Sequence, residues 1–335
     1  KNKSLGYVSY LRGENPISFP LRLYPDNNDE GLCMSSNGPL NYPNRSLYNE
    51  GKRLISSSLH KFKFMKMYNT TMDNYQLSTY RNFIKDLELN RKKGEIRLSD
   101  RNIGLQISNV VYSNDKEDRF TNCFGWTGYD RFIRENIERR QKKCTYRNLS
   151  NPLFDIENLK NISSKMHTII HDLMESKSEG IIFIYSEYIY SGILPFALAL
   201  EHLGFEKYGG QNILNYPEWK DNEDGNKTKR EPIDHMWNPM SEKKGKRAKY
   251  IILTGDTSLS PNNNEERKQS MENNTDGEKI KIILGNAVTS EGMDFKNIRE
   301  IHVLDPWYHL NKIEQIIGRG IRLCSHTNLI KEKRN

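Results

Sequence analysis

The chain has 335 residues, which is enough for roughly two domains and a sizeable core. Hydrophobic residues make up 35% and charged residues 28%, so we expect long polar insertions beside a smaller packed body rather than one compact enzyme. The formal net charge of +8 favours a polyanionic partner, but a solvated basic surface explains the modest excess about equally well.

Cysteine spacing and hydropathy exclude several classes of protein. The four cysteines stand far apart, without the C-x-x-C spacing of a zinc or redox site, and are interpreted as reduced thiols of a cytosolic protein. No apolar stretch approaches the ~20 residues needed to cross a bilayer, so we expect no membrane partner. Because the chain starts at Lys1 rather than Met, it is interpreted as a fragment with a further domain upstream.

Residues 1–150 are predicted to form an irregular α+β accessory region. Three prolines within residues 9–25 favour an edge strand or extended arm over a helix. The periodicity further along this region predicts a half-exposed strand, an amphipathic helix, a second strand and a basic helix, at residues 59–67, 74–87, 104–112 and 134–147.

Residues 151–335 are predicted to form one α/β domain. Short, nearly all-apolar runs alternate with amphipathic stretches, which is typical of parallel strands buried on both faces and joined by helices. The runs lie at residues 181–185, 250–253, 280–284 and 301–304. Helices are predicted around residues 196–205, 265–271 and 309–323.

A polar segment at about residues 208–249 separates the first two runs. It is too long and too charged for an ordinary connection, so it is predicted to be an inserted loop. Its basic end could follow a phosphate backbone, but a solvated loop is the simpler interpretation. His167 and His171, four residues apart, lack the glutamate of an H-E-x-x-H site and predict no metal centre.

A polar loop follows the third apolar run and marks a candidate ligand site. In open α/β sheets, ligands bind beyond the carboxyl ends of the strands. The hydroxyls of Thr289 and Ser290 can hold a nucleic-acid phosphate, and Gly292 lets the backbone approach closely. Glu291 and Asp294 could sense a nucleotide through a hydroxyl or a water.

The most specific pattern is Q-x-x-G-R-x-x-R, formed by Gln315, Gly318, Arg319 and Arg322 on the last predicted helix. Two arginines three apart project from one face and can clamp a nucleotide γ-phosphate. The chain has no G-x-x-x-x-G-K-[ST] phosphate loop, and no acidic pair follows an apolar strand as a magnesium site would. We therefore expect half of an ATP-driven motor, inactive in ATP hydrolysis by itself.

The spacing of these two segments resembles motifs V and VI of superfamily 2 helicases. Three stretches, at residues 6–25, 181–205 and 291–326, resemble the helicases and nucleoside triphosphatases of nucleocytoplasmic large DNA viruses. Relatives in that family include the poxvirus early transcription factor small subunit and nucleoside triphosphatase I, together with African swine fever virus proteins. The resemblance implies that the α/β half is the second RecA-like motor domain of such a helicase.

The resemblance also implies a role for each matching residue. Arg319 and Arg322 would act as arginine fingers on ATP held by the first motor domain, with Gln315 orienting the site and Gly318 allowing close packing. The loop 289–294 would couple ATP to nucleic acid. Ser186 and Tyr188, after the first strand, resemble motif IV and would face the nucleic acid, and Thr254 and Gly255 occupy a similar edge position.

Cofactors, partners and location follow from the same resemblance. ATP and Mg²⁺ would be held mainly by the missing first RecA-like domain, which is itself the principal partner, together with DNA or RNA and viral transcription machinery. The expected location is the viral factory in the host cytoplasm, and also the virion.

Two alternatives remain open from the residues. One is a non-enzymatic interaction module of a viral transcription or packaging complex, in which the arginines serve an interface. The other is a nuclease or restriction-type translocase, although no clustered P-D…E-x-K carboxylates are present.

Overall fold

The computed structural model describes ten segments of the chain, at residues 34–35, 38–39, 70–90, 97–175, 180–215, 219–221, 227–229, 248–287, 295–306 and 310–320. The helices are α1 (Asn74–Asn90), α2 (Leu98–Asn109), α3 (Gly125–Phe132), α4 (Ile156–Ile162), α5 (Ser164–Glu175), α6 (Leu194–His202), α7 (Asn263–Met271) and α8 (Leu310–Gly320). A 3₁₀ turn occupies Phe120–Asn122, and a π-helix occupies Ile189–Ile193.

The strands are β1 (Met34–Ser35), β2 (Gly38–Pro39), β3 (Ile133–Glu138), β4 (Gln141–Tyr146), β5 (Ile181–Tyr185), β6 (Glu206–Lys207), β7 (Trp219–Asp221), β8 (Lys227–Lys229), β9 (Lys249–Leu253), β10 (Ile282–Gly285) and β11 (Ile298–Val303). The pairs β1–β2, β3–β4 and β7–β8 are each antiparallel.

A five-stranded parallel sheet is the centre of the fold, with strand order β11-β5-β10-β9-β6. Its four main strands are those predicted from the apolar runs, and the helices predicted after the first, second and fourth of them are present as α6, α7 and α8. The predicted RecA-like α/β class is therefore confirmed.

The two faces of the sheet bury alternate side chains, as strand geometry requires. Along β5, Ile182 and Ile184 join one apolar cluster, while Ile181, Phe183 and Tyr185 join the other. The second cluster includes Ile316 of α8, so this helix covers that face. Both faces are thus shielded, which explains why the strands have no polar alternation.

The accessory region packs on the opposite face and shares its core with the sheet. Phe83 of α1 and Ile107 of α2 belong to the same buried cluster as Ile182 and Ile184 of β5. The helix predicted at residues 74–87 is confirmed as α1. The boundary predicted at residue 150 stays a prediction, with apolar packing continuous across it.

Two predictions for the accessory region are wrong. Residues 104–112, expected as a strand, lie mostly in α2, where the Asp100 side chain accepts a hydrogen bond from the Arg97 backbone N–H and caps the first turn. Residues 134–147, expected as a basic helix, form the β3–β4 hairpin. The alternation of apolar and polar residues along this hairpin is hard to recognise in the sequence, because one inward-facing position of β4 is a lysine, Lys142.

The start of the predicted insertion is anchored by a buried carboxylate. Glu201 on α6 accepts hydrogen bonds from the backbone N–H of Ile213 (2.8 Å) and Leu214 (2.5 Å) and from the Tyr250 hydroxyl (2.5 Å). Burial nevertheless raises the pKa of Glu201 to about 7. Leu214 then forms an isolated parallel bridge with Cys144 of β4, so Glu201 also connects the hairpin to the main sheet.

The arm predicted within residues 9–25 and the strand predicted at residues 59–67 lie outside the described residues, as does most of the insertion. No helix in the described segments combines the length and the apolar character needed to span a membrane.

Candidate functional site

The carboxyl ends of the parallel strands meet at one edge of the sheet, and the predicted nucleic-acid contacts follow them. Ser186 and Tyr188 come after β5, and Thr254 and Gly255 come after β9. The predicted loop after β10 lies outside the described residues; it contains Thr289, Ser290, Glu291, Gly292 and Asp294. Arg322, in the sequence after α8, also lies outside them. Parallel pairing of β5, β9 and β10 brings the carboxyl ends of these three strands to the same edge.

Ser186 is fully buried and holds a carboxylate at this edge. Its hydroxyl donates to Asp305 Oδ1 over 2.5 Å, and Asp305 Oδ2 accepts the backbone N–H of Glu187 over 2.7 Å. Asp305 follows β11, which lies beside β5 in the sheet. The carboxylate therefore fixes the ends of two neighbouring strands to each other, and the contact predicted between Ser186 and nucleic acid stays a prediction.

Two side chains of the accessory region complete this buried network. Asn109, the last residue of α2, donates to Asp305 Oδ1 over 2.9 Å. Lys165 of α5 donates to Asn109 Oδ1 (3.0 Å) and to the Leu304 carbonyl (2.7 Å). Burial lowers the pKa of Lys165 to about 8 and raises the pKa of Asp305, while each charge offsets part of the other's shift.

The other described edge residues differ in exposure. Tyr188 is half-buried, and its hydroxyl lies 3.4 Å from Asn102 Oδ1 on α2; burial, with Asp305 and Glu187 nearby, raises its pKa to about 12. Thr254 is buried and shares a 3.0 Å hydrogen bond with Ser260, whereas Gly255 is exposed. Of the four predicted contacts that the structure describes at this edge, Tyr188 and Gly255 thus reach solvent.

Helix α8 directs Gln315 and Gly318 of the Q-x-x-G-R-x-x-R pattern away from the core. Ile313 and Ile316 are buried against the sheet, whereas Gln315 is exposed. A Cβ added to Gly318 would have no heavy atom within 4 Å, so the surface is open there. Arg319 is partly buried, and its carbonyl accepts the Phe295 backbone N–H over 3.1 Å, which ties α8 to the segment after the β10 loop.

The sequence predictions missed Asp305, Asn109 and Lys165. From the sequence, Asp305 is only the residue that follows the apolar run 301–304. The hydrogen-bonded pairs formed by these side chains are separated by 56 to 196 residues, so no local spacing predicts them. An acidic residue followed by Pro306 directly after a buried strand was the one local signal.

His167 and His171 lie on α5, as predicted from their spacing, with ring centroids 6.2 Å apart. Burial and, to a lesser degree, His171 lower the pKa of His167. Burial and the neighbouring His171 therefore both favour the neutral imidazole at His167.

A family comparison matches part of this half of the molecule. Residues 199–324 match the helicase conserved C-terminal domain, and this span includes the end of α6 together with β9, β10, β11 and α8. These residues are therefore similar to a helicase C-terminal domain. The predicted resemblance to superfamily 2 helicases of large DNA viruses is confirmed by the relatives.

Three relatives illustrate that resemblance. A putative ATP-dependent RNA helicase of Acanthamoeba polyphaga mimivirus is 25% identical over 98% of this chain and 29% of its own length. A putative helicase of Invertebrate iridescent virus 3 is 24% identical over 93% of this chain and 27% of its own length. The termination factor NPH-I homolog of African swine fever virus is 27% identical over 47% of this chain and 23% of its own length.

The chain thus spans less than a third of the length of each of these relatives. The mimivirus and iridescent virus alignments include most of the accessory region as well as the helicase C-terminal domain.

Proposed function

We propose that this chain is the C-terminal part of a viral ATP-dependent superfamily 2 helicase or translocase and acts as its second RecA-like motor domain. The observation that carries the proposal is the outward face of α8. Gln315 and Gly318 lie on the side opposite Ile313 and Ile316, and open space surrounds the Gly318 position. A second lobe could approach that face closely, as a shared nucleotide cleft requires.

In this proposal, Arg319 and Arg322 stabilise charge that develops during phosphoryl transfer on ATP held by the first RecA-like domain. Guanidinium groups suit this task because they stay charged and offer a fixed fork of donors. Fingers of this kind are worth ~10³ to 10⁵ in rate. Gln315 orients the same site, and Mg²⁺ belongs mainly to the first domain.

Nucleic acid would cross the carboxyl edge of the sheet. Thr289 and Ser290 would contact phosphates, Gly292 would allow close approach, and Glu291 and Asp294 would couple that contact to ATP. Tyr188 and Gly255, which are accessible, would extend the contact. Ser186 and Thr254 would contribute through the loops that they hold.

Domain closure would then couple the two events. With ATP bound, the domains close and the arginines meet the γ-phosphate; after hydrolysis they separate, so the grip on the backbone alternates between lobes. The relatives' names, which include an ATP-dependent RNA helicase and a termination factor, support action on nucleic acid. In this proposal the action takes place in the host cytoplasm or virion, alongside viral transcription machinery.

The decisive experiment compares Arg319→Ala and Arg322→Ala in the full-length polypeptide. We expect ATPase turnover to fall by at least about 10³-fold while ATP binding is largely kept. Lys268→Ala, which removes an exposed cation from α7, is the control and should keep full turnover. Unchanged turnover in both arginine variants would favour a non-enzymatic interaction module.

A further inference from the structure

The β3–β4 hairpin places its turn at the carboxyl edge of the sheet. At the start of β4, the Lys142 backbone N–H donates to the Ser258 carbonyl over 3.0 Å, in the loop after β9. Its ammonium group donates to the Tyr190 hydroxyl over 3.0 Å, in the π-helix after β5. At the other end of the hairpin, Tyr146 contacts His202 at the end of α6. The turn therefore lies at the edge where the nucleic acid is proposed to cross.

The turn consists of two arginines in an unfavourable conformation. Glu138 pairs with Gln141, so Arg139 and Arg140 form a two-residue turn. Their φ angles are +48° and +66°, and both side chains are exposed. Turns with two positive φ angles favour Asn-Gly, because side chains with a Cβ are strained there. Two arginines at such positions suggest selection for charge at the expense of local stability.

An exposed indole is connected to the start of β4, next to this turn, through Tyr190 and Lys142. Trp126 on α3 is 49% exposed, and its ring centroid lies 5.0 Å from that of Tyr190, the residue that Lys142 contacts. The preceding Gly125 backbone N–H donates to Ser191 Oγ over 2.9 Å, which fixes the start of α3 against the π-helix. The indole is thus held at the carboxyl edge with half of its surface open to solvent.

We propose that Arg139, Arg140 and Trp126 form an accessory binding surface for single-stranded nucleic acid at the carboxyl edge of the sheet, where Tyr188 also lies. The inference rests on the proposed function, which brings the strand to this edge. The two guanidinium groups would contact successive phosphates, and a base would stack on the indole. Positive charge beside a rigid, half-exposed aromatic ring suits an unpaired strand, whose bases are free to stack.

The turn can be tested without weakening the hairpin. Arg139→Asn combined with Arg140→Gly installs the sequence that this turn favours, so the thermal midpoint should stay equal or rise. Binding of a fluorescein-labelled, mixed-sequence 20-nucleotide single strand, as DNA and as RNA, is followed by anisotropy over a KCl series. Because each lost phosphate contact in a single strand lowers the log–log salt slope by about 0.7, we expect a decrease of about 1.4.

The matched control removes two charges from the other end of the hairpin. Arg134→Gln combined with Arg147→Gln should leave the salt slope unchanged, because Arg134 pairs with Thr145 and both arginines lie away from the turn. A turn variant that binds with the slope of the unaltered chain would overturn the phosphate contacts, as would an equal decrease in the control.

Stacking is tested by Trp126→Phe and Trp126→Leu. Phenylalanine keeps a ring and should retain most of the affinity, whereas leucine keeps apolar packing without a π-face and should lower it by about 5- to 150-fold. Leu149→Ala is the control, since Leu149 is also 49% exposed but follows the hairpin end that contacts His202. Equal affinities for the Phe and Leu variants would overturn the stacking role.

The two proposals fail in different ways. If the unaltered chain binds the oligonucleotide and none of these variants changes the binding, the accessory surface is wrong and the motor proposal stands. If the unaltered chain binds neither DNA nor RNA at low salt, both proposals are overturned.

Discussion

The Ser186 hydroxyl donates a 2.5 Å hydrogen bond to Asp305, so two side chains 119 residues apart in sequence join the ends of neighbouring strands. From Ser186 the chain leads to Tyr188, and from Asp305 it leads to α8 with Arg319. The contact therefore connects the segment that leads to the proposed nucleic-acid edge with the segment that leads to the proposed arginine finger. Lys165 and Asn109 extend it into the accessory region.

Removing the Ser186 hydroxyl should destabilise the domain. In Ser186→Ala, the buried Asp305 carboxylate loses one of its donors, and we expect the free energy of unfolding in urea to fall by about 1–3 kcal/mol. Ser78→Ala is the control, because that hydroxyl only bonds the Tyr75 carbonyl one turn earlier in α1; its effect should stay within about 0.5 kcal/mol. Equal stabilities of the two variants would contradict a structural role for the contact.

Lys165→Met should lower the free energy of unfolding more than Ser186→Ala does. It removes the cation that partly neutralises buried Asp305, and loss of one member of a buried pair costs about 3–5 kcal/mol. The folded-state pKa of Lys165, about 8, lies below its usual 10.5, so the folded chain binds fewer protons than the unfolded chain between these values. The contribution of Lys165 to stability should therefore rise with pH across this window.

Urea unfolding at pH 7.5 and pH 10 measures both effects of Lys165→Met. The stability gap between the unaltered chain and the variant should widen at the higher pH. Lys160→Met, at an exposed position on α4, should show neither the loss nor the widening. A gap that narrows as pH rises would show that Lys165 is not desolvated as the structure indicates.

Glu201 provides a second pH prediction, of opposite sign. Its folded-state pKa is raised from 4.5 to about 7, so its contribution to stability is fully present below pH 4.5 and is lost as pH rises through 7. Relative to Glu201→Gln, the unaltered chain should lose about 3 kcal/mol over this window. Chemical denaturation at pH 4.5, 6 and 8 measures the difference, and Glu265→Gln, at an exposed position on α7, should follow the unaltered chain.

Gly318 and Gly320 form a matched pair on α8. Gly318→Ala should raise the stability of the chain by about 0.5–1 kcal/mol, because the new methyl meets no atom within 4 Å. Gly320→Ala should gain less, because its methyl would lie 3.0 Å from Ile301 Cδ1. In the full-length polypeptide, Gly318→Ala should nevertheless lower ATPase turnover, since it fills the face on which the first lobe is proposed to close. A stabilised variant with full turnover would exclude that face from the cleft.

The central sheet could be predicted from the sequence because parallel strands covered on both faces are apolar without interruption. The run Ile181–Tyr185 is both the predicted and the observed strand β5. Helix α2 was mistaken for a strand, although Ile103 and Ile107 are spaced four apart, because β-branched residues at its end extend the apolar pattern. The hairpin was mistaken for a helix because a charged residue, Lys142, occupies an inward position of β4 beside the charged outward ones.

The candidate site was predicted less completely. Local motifs predict Gln315, Gly318 and Arg319 as site residues because a helix brings residues three and four apart together; their roles stay predictions. The Asp305 network depends instead on contacts between α2, α5, β5 and β11, and only the folded chain brings those segments together. The position of the half-exposed Trp126 ring likewise depends on its packing against Tyr190, and no spacing in the sequence predicts that contact.

The shared core of the accessory layer and the sheet has a practical consequence for anyone dissecting this protein. A version shortened to begin at residue 151 would leave Ile182, Ile184 and the apolar flank of α6 facing water, because Ile107, Val110 and Tyr112 would be gone. Such a truncated polypeptide should aggregate when expressed, whereas one beginning near residue 70 would retain the helices that shield this face.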